Sequence, residues 1–225
     1  MSAGFDVDFT YRSSAEQALA LAADLCVSGR KLRALPLDLA DKPAIEAFCE
    51  EAEDTAYAGF VHNAGQPYDA LAAMIVQDRA EAIMQVNFFA FARLCKSLVR
   101  SMVRERSGRI IGIGSVAAQV GNPGNAAYAA TKGALISYAR TLAVETARRG
   151  VTVNVVAPGF IDTDMMAPYA AYRDRMEKQI PARRFARPED VAAMVAFLMS
   201  PAAAYVTGAV LPVDGGLTAQ MAVHR

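Results

Sequence analysis

The 225-residue sequence has no tryptophan, only two histidines and three cysteines, and no net charge, because 23 lysines and arginines are matched by 23 aspartates and glutamates. Each scarcity excludes a class of protein. Balanced charge provides no global field for nucleic acid or a membrane surface. His62 and His224 are far apart and no CxxC pair is present, so no metal site is expected. Cys26, Cys49 and Cys95 are scattered and odd in number, the pattern of free thiols in a reducing cytoplasm rather than of a disulfide framework. The chain does not open on a basic segment followed by an apolar one, so secretion is unsupported. No apolar run is expected to span a bilayer.

Apolar residues are plentiful, at 54% against 20% charged, which excludes a disordered chain. The length suits one α/β domain over residues 1–225. FDVDFTY reads as a strand ending at Tyr11, and Arg12-Ser13-Ser14 as a turn leading to a helix over 15–27 that Ser28-Gly29 stops. Strands follow at 32–38, 59–65, 108–115 and 151–159, and AVLPVDGG closes the series. Between them the pattern predicts helices from Asp41-Lys42-Pro43, over 78–106 and 126–149, and after Pro188. This alternation implies a doubly wound parallel sheet with helices on both faces. No repeat or linker divides it.

Gly112-Ile113-Gly114-Ser115-Val116-Ala117 spells a dinucleotide fingerprint after a strand. A helix should start inside such a motif, and an acid should follow about twenty residues later. Instead QVGNPGNAAY continues as a loop and KGALISYAR holds no acid. These glycines read as small residues that let a backbone or ligand approach.

Tyr128 and Lys132 stand four apart in a helix, so both project from one face. A nearby ammonium favours phenolate and moves a tyrosine toward useful acid–base chemistry. Ser115, at the carboxyl end of the preceding strand, is placed to donate to a substrate carbonyl, and that end is where open α/β sheets hold ligands. The combination suits hydride transfer to a carbonyl.

The ordered set of Asp38-Leu39, Asn63-Ala64-Gly65, Asn87 in VNFFAF, Ser115, YAATK, Pro158-Gly159 with IDTD, and VTGAVLPVDGG resembles the short-chain dehydrogenase/reductase family. Within it the chain is most similar to the 3-oxoacyl-[acyl-carrier-protein] reductases. The resemblance implies a Rossmann-like fold and a cytoplasmic enzyme that reduces a 3-oxoacyl thioester with NADPH. By it, Ser115 positions the carbonyl, Tyr128 donates the proton, Lys132 lowers the tyrosine pKa and holds the nicotinamide ribose, and Asn87 supports a water-mediated proton relay. Asp38-Leu39 contacts the adenine, Asn63, Ala64 and Gly65 line the nucleotide cleft, and Pro158, Gly159, Ile161 and Thr163 receive the nicotinamide. Arg12, where an acid would select NAD, suits the 2′-phosphate of NADPH.

The resemblance also implies that an acyl carrier protein docks near Arg106 and Arg149, although basic helix ends are equally explained by the helix dipole. It implies a dimer or tetramer through the helix bearing Leu135, Tyr138 and Leu142, a face that is otherwise core. The family's TGxxxGxG phosphate loop, with its strand and helix of about 20 residues, does not stand ahead of FDVDFTY. Met1 is therefore expected to be a misplaced start or a fragment boundary, the strands on either side of the gap to have unpaired edges, and cofactor binding to be weak. The alternatives are an oxidoreductase acting on another ketone or alcohol, and a catalytically degenerate partner subunit.

Overall fold

The computed structural model describes residues 4–25, 30–53 and 55–220. Cys26, His224, and the predicted last turn of the first helix with its Ser28-Gly29 stop lie outside the described residues. Strands β1 (Val7–Tyr11) and β2 (Leu32–Pro36) flank helix α1 (Ala15–Leu25). Helix α2 (Lys42–Ala52) starts where the sequence placed it, with Pro43 in its first turn and the Asp41 carboxylate accepting from the Ala44 N–H at 3.1 Å. Losing such a cap costs about 1 kcal/mol. Strand β3 (Gly59–His62) leads by a loop to α3 (Gln77–Met84), which runs through a π-helical segment, Gln85–Phe89, into α4 (Ala90–Glu105). Then come β4 (Gly108–Ile113), α5 (Ala126–Thr146), β5 (Val151–Pro158), a 3-10 stretch at Asp164–Tyr172, α6 (Arg173–Gln179), α7 (Pro188–Met199) and β6 (Val210–Val213).

All pairings are parallel, as the alternation predicted. Among the described residues the strands form two ladders, β1-β2 and β3-β4-β5-β6, with no ladder between β1 and β3. Side chains join the two. The Tyr57 hydroxyl, two residues ahead of β3, donates to Asp8 of β1 at 2.8 Å, and Arg33 of β2 also donates to Asp8. Leu37, Leu39 and Ile45 pack with Val86, Ala90 and Leu94 beneath the same junction. Each such aliphatic side chain contributes about 1.5–3 kcal/mol by leaving water.

The main core lies between β4, β5 and helices α4 and α5, around Phe91, Met102, Ile110, Leu135 and Val153. Leu135 and Leu142 are buried in it, and Tyr138 donates to the Ala92 carbonyl at 3.3 Å. The face expected to meet another subunit is therefore interior to this chain. The outer side of α5 carries Val144, 80% exposed.

A correction also applies to membrane-spanning length. The continuous helix over residues 77–105 is long and apolar enough, by length and composition, to cross a membrane. Its apolar residues, among them Phe91, Leu94, Leu98 and Met102, are buried within the protein instead.

Candidate active site

Parallel strands place their carboxyl ends along one edge, and the groups expected to meet the nucleotide and the carbonyl lie there. Arg12 follows β1, Asp38 and Leu39 follow β2, Asn63 to Gly65 follow β3, Ser115 follows β4, and Pro158 to Thr163 end and follow β5. Arg12, Asp38, Asn63, Ala64 and Thr163 are exposed, whereas Gly65, Pro158, Gly159 and Ile161 are half-buried. Leu39 is a correction. Its side chain belongs to the core under α2, and only its backbone faces elsewhere, accepting from Gln85 Nε2 at 3.2 Å. An Asp-Leu pair sends the two side chains opposite ways.

The structure brings Ser115, Tyr128, Lys132, Asn87 and Gly65 together. Ser115 lies close enough to Tyr128 to pull the phenol's pKa down, and its hydroxyl oxygen accepts from the Ala117 N–H at 3.1 Å. Lys132, 2% exposed, donates from Nζ to the Ile113 carbonyl at 2.8 Å, and its Nζ stands 5.8 Å from the Tyr128 ring centre. A Cβ on Gly65 would sit 3.2 Å from Lys132 Nζ and 3.7 Å from Asn87 Oδ1, so only a small residue leaves this pocket floor open.

The electrostatics depart from expectation. Burial pushes the Lys132 ammonium down from 10.5 to about 8. The Tyr128 phenol is pushed up by burial, against a downward pull from Ser115, with the Asp69 carboxylate adding the smallest, upward push. The Lys132 ammonium is turned to the Ile113 carbonyl. The site holds Tyr128 protonated, in the form of a proton donor.

Asn87 lies in the π-helical segment and is fully buried. Its Oδ1 accepts from the Gln66 N–H at 2.7 Å, while Nδ2 donates to the Gln66 carbonyl and to Thr131 Oγ1, both at 3.0 Å. Thr131 donates in turn to the Tyr128 carbonyl at 2.8 Å. The side chain thus clamps the loop after β3 to α5, with both amide hydrogens engaged.

Two residues near the site carried no functional reading in the sequence. His62 ends β3, is 2% exposed, and is held neutral, its pKa pushed down to about 3 by burial and by the charge of Lys132. It stacks among Phe60 and Phe91, at 6.2 and 5.2 Å between ring centres. Asp69 accepts from Asn125 Nδ2 at the start of α5. No signal marked it, since its partner lies 56 residues away.

The decoy glycines serve packing. A Cβ on Gly112 would lie 2.7 Å from Leu135 Cδ2, and one on Gly114 2.7 Å from Val155 Cγ1. Arg106 and Arg149 come together with Arg148, whose carbonyl accepts from Arg106 at 3.4 Å. They precede β4 and β5, at the edge of the sheet opposite Ser115 and Tyr128.

The sequence model described as "Enoyl-(Acyl carrier protein) reductase" matches residues 1–218. The chain belongs to the short-chain dehydrogenase/reductase family. It is 41% identical over 189 residues to the 3-oxoacyl-[acyl-carrier-protein] reductase FabG of Vibrio cholerae serotype O1, a match covering 82% of this chain and 77% of that protein. Among solved structures, a short chain dehydrogenase/reductase family protein superposes with a TM-score of 0.87 at 33% identity, covering 96% of this chain and 88% of the other. A gluconate 5-dehydrogenase from Burkholderia cenocepacia J2315, in complex with NADP and tartrate, gives 0.87 at 30% identity, covering 95% and 86%. Both bear out the doubly wound fold.

Proposed function

We propose that this chain is an NADPH-dependent reductase of 3-oxoacyl thioesters carried on acyl carrier protein. The observation that carries the reading is the meeting of Ser115 and Tyr128 at the carboxyl end of β4, with Lys132 buried one helical turn beyond Tyr128 and bonded to Ile113. Relatives about 40% identical and named as such reductases support the substrate class.

The residues present fit a dinucleotide. Gly65 leaves Lys132 Nζ uncovered by any Cβ, the exposed Asn63 and Ala64 are small, and Arg12 sets a cation at the end of β1 for a 2′-phosphate. Lys132 is placed to hold the nicotinamide ribose, and Pro158, Gly159, Ile161 and Thr163 the nicotinamide end, with Asp38 toward the adenine. Bound NADPH supplies the hydride. The protein's part is to hold the substrate oxygen and protonate it. Ser115 and Tyr128 both reach that oxygen, so the charge that gathers on it meets two hydroxyl donors. Tyr128, kept protonated by burial, releases its proton as the C–O bond becomes an alkoxide, giving the 3-hydroxyacyl product.

The carrier protein would dock at Arg106 and Arg149. Since these lie at the opposite edge from Tyr128, a docked carrier would serve a neighbouring subunit's site, which fits a dimer or tetramer. A reducing cytoplasm suits the free Cys49 and Cys95. The intact trio of Ser115, Tyr128 and Lys132 favours an enzyme over a degenerate partner subunit.

The test is steady-state reduction of a 3-oxoacyl thioester with NADPH by wild type and Tyr128→Phe. The variant should lose about 10²–10⁴-fold in kcat with NADPH affinity nearly unchanged. Near wild-type turnover would remove Tyr128 from its role.

A further inference from the structure

The loop that follows β3 crosses the mouth of the site and is anchored on both sides of Asp69. Tyr68 is buried, its hydroxyl accepts from the Val76 N–H at 2.8 Å, and Arg79 lies 4.4 Å over its ring. On the other side, the Ala70 N–H donates to the Gly124 carbonyl at 2.8 Å. Upstream, Gln66 is held at both backbone groups by Asn87. Asp69 itself accepts from Asn125, whose Oδ1 accepts from Asn122 at 2.6 Å. Asn125 is the cap of α5, three residues before Tyr128. The aspartate is therefore tied to the cap of α5, one helical turn before the proton donor.

This carboxylate is not needed to hold the substrate oxygen, which Ser115 and Tyr128 already serve, and Asn125 would be satisfied by a neutral acceptor. Of the two nearest cations, Lys132 is directed inward to Ile113 and Arg79 lies over the Tyr68 ring. In a 3-oxo acid, C1 is two bonds from the ketone carbon. A free carboxylate there would be carried next to Tyr128 and hence toward Asp69, where two like charges repel. A thioester or ester at C1 carries no charge.

We infer that Asp69 is a specificity-determining residue that turns away free 3-oxo acids and admits the same acyl groups only as neutral thioesters or esters. This deepens the proposed function and rests on it.

The test compares kcat/KM for acetoacetate, its ethyl ester and its N-acetylcysteamine thioester in wild type and Asp69→Asn. Asparagine keeps the acceptor for Asn125 and removes only the charge. Asp69→Asn should raise kcat/KM for acetoacetate about tenfold, equivalent to about 1.4 kcal/mol, and leave the ester and thioester within about twofold. A second reading needs no variant. Because Asp69 is exposed, added salt should raise wild-type activity on acetoacetate relative to the ester by screening. That salt effect should vanish in Asp69→Asn. An unchanged acid-to-ester ratio in the variant, or a salt effect equal on all substrates, would overturn the inference and leave the reductase reading standing. No turnover of any of the three by wild type would remove both.

Discussion

Lys132 Nζ donates to the Ile113 carbonyl at 2.8 Å, tying a buried ammonium to the strand that ends two residues before Ser115. That bond satisfies one of three ammonium hydrogens, so the charge stays costly and its pKa falls to about 8.

Lys132→Met should therefore be inactive yet more stable at pH 7, by about 1–3 kcal/mol from a pKa some 2.5 units low, less what the Ile113 bond returns. Below about pH 8 the folded and unfolded chains both hold the proton, and the burial cost is fully present. Between 8 and 10.5 the unfolded chain holds it more tightly, so wild-type stability rises with pH. Urea denaturation at pH 7 and pH 10 should show the gap between the two proteins closing. A variant that is less stable at both pH values would contradict the assignment.

His62 predicts acid lability. Its folded pKa is about 3 against 6.5 unfolded, so the unfolded chain gains a proton that the folded chain refuses. Its contribution is fully present above pH 6.5 and is lost as pH falls toward 3, by about 1.4 kcal/mol per unit. His62→Phe keeps the ring among Phe60 and Phe91 and should flatten that slope. Denaturation midpoints at pH 7 and 4.5 measure it; equal slopes in the two proteins would refute the prediction.

Gly112→Ala should destabilise by about 1–3 kcal/mol, because its Cβ would meet Leu135 at 2.7 Å and a filled core resists extra atoms. NADPH affinity should change little. A large loss of affinity with stability intact would show instead that these glycines hold the pyrophosphate.

Arg12→Asp should cut the preference for NADPH over NADH by about tenfold or more, the scale of one lost hydrogen bond to a charged group plus a new repulsion. The ratio of kcat/KM for the two cofactors reports it. An unchanged ratio would leave Arg12 an ordinary surface cation.

The parts of the site that read easily from the sequence depend on short spacing. Asp41 and Pro43 mark a helix start, Tyr128 and Lys132 share a face by helical period, and the turns after β3 and β5 declare themselves by small residues. What could not be read depends on contacts across the chain. Whether Leu135, Tyr138 and Leu142 face core or solvent is settled by β5 and α4 packing on them. The π-helical segment that turns Asn87 inward has no composition of its own. Likewise, the spacing that pairs Tyr128 with Lys132 does not reveal that the ammonium bonds to Ile113, nor that Asp69 stands nearby.

The divided sheet has a further consequence. Arg12 and Asp38, proposed to receive the dinucleotide's adenosine half, follow the strands of the β1-β2 ladder, while Ser115 and the proposed proton donor belong with the other. Among the described residues no main-chain ladder crosses between them, and side chains make the bridge: Tyr57 to Asp8, Gln85 to the Leu39 carbonyl, the contacts of α2 with α4, and one apolar cluster. Cooperative units of that kind open separately. On warming, the grip on the coenzyme should slacken while the chemistry next to Tyr128 is still assembled, so that heat is felt first as a rising KM for the nucleotide and only later as a falling kcat.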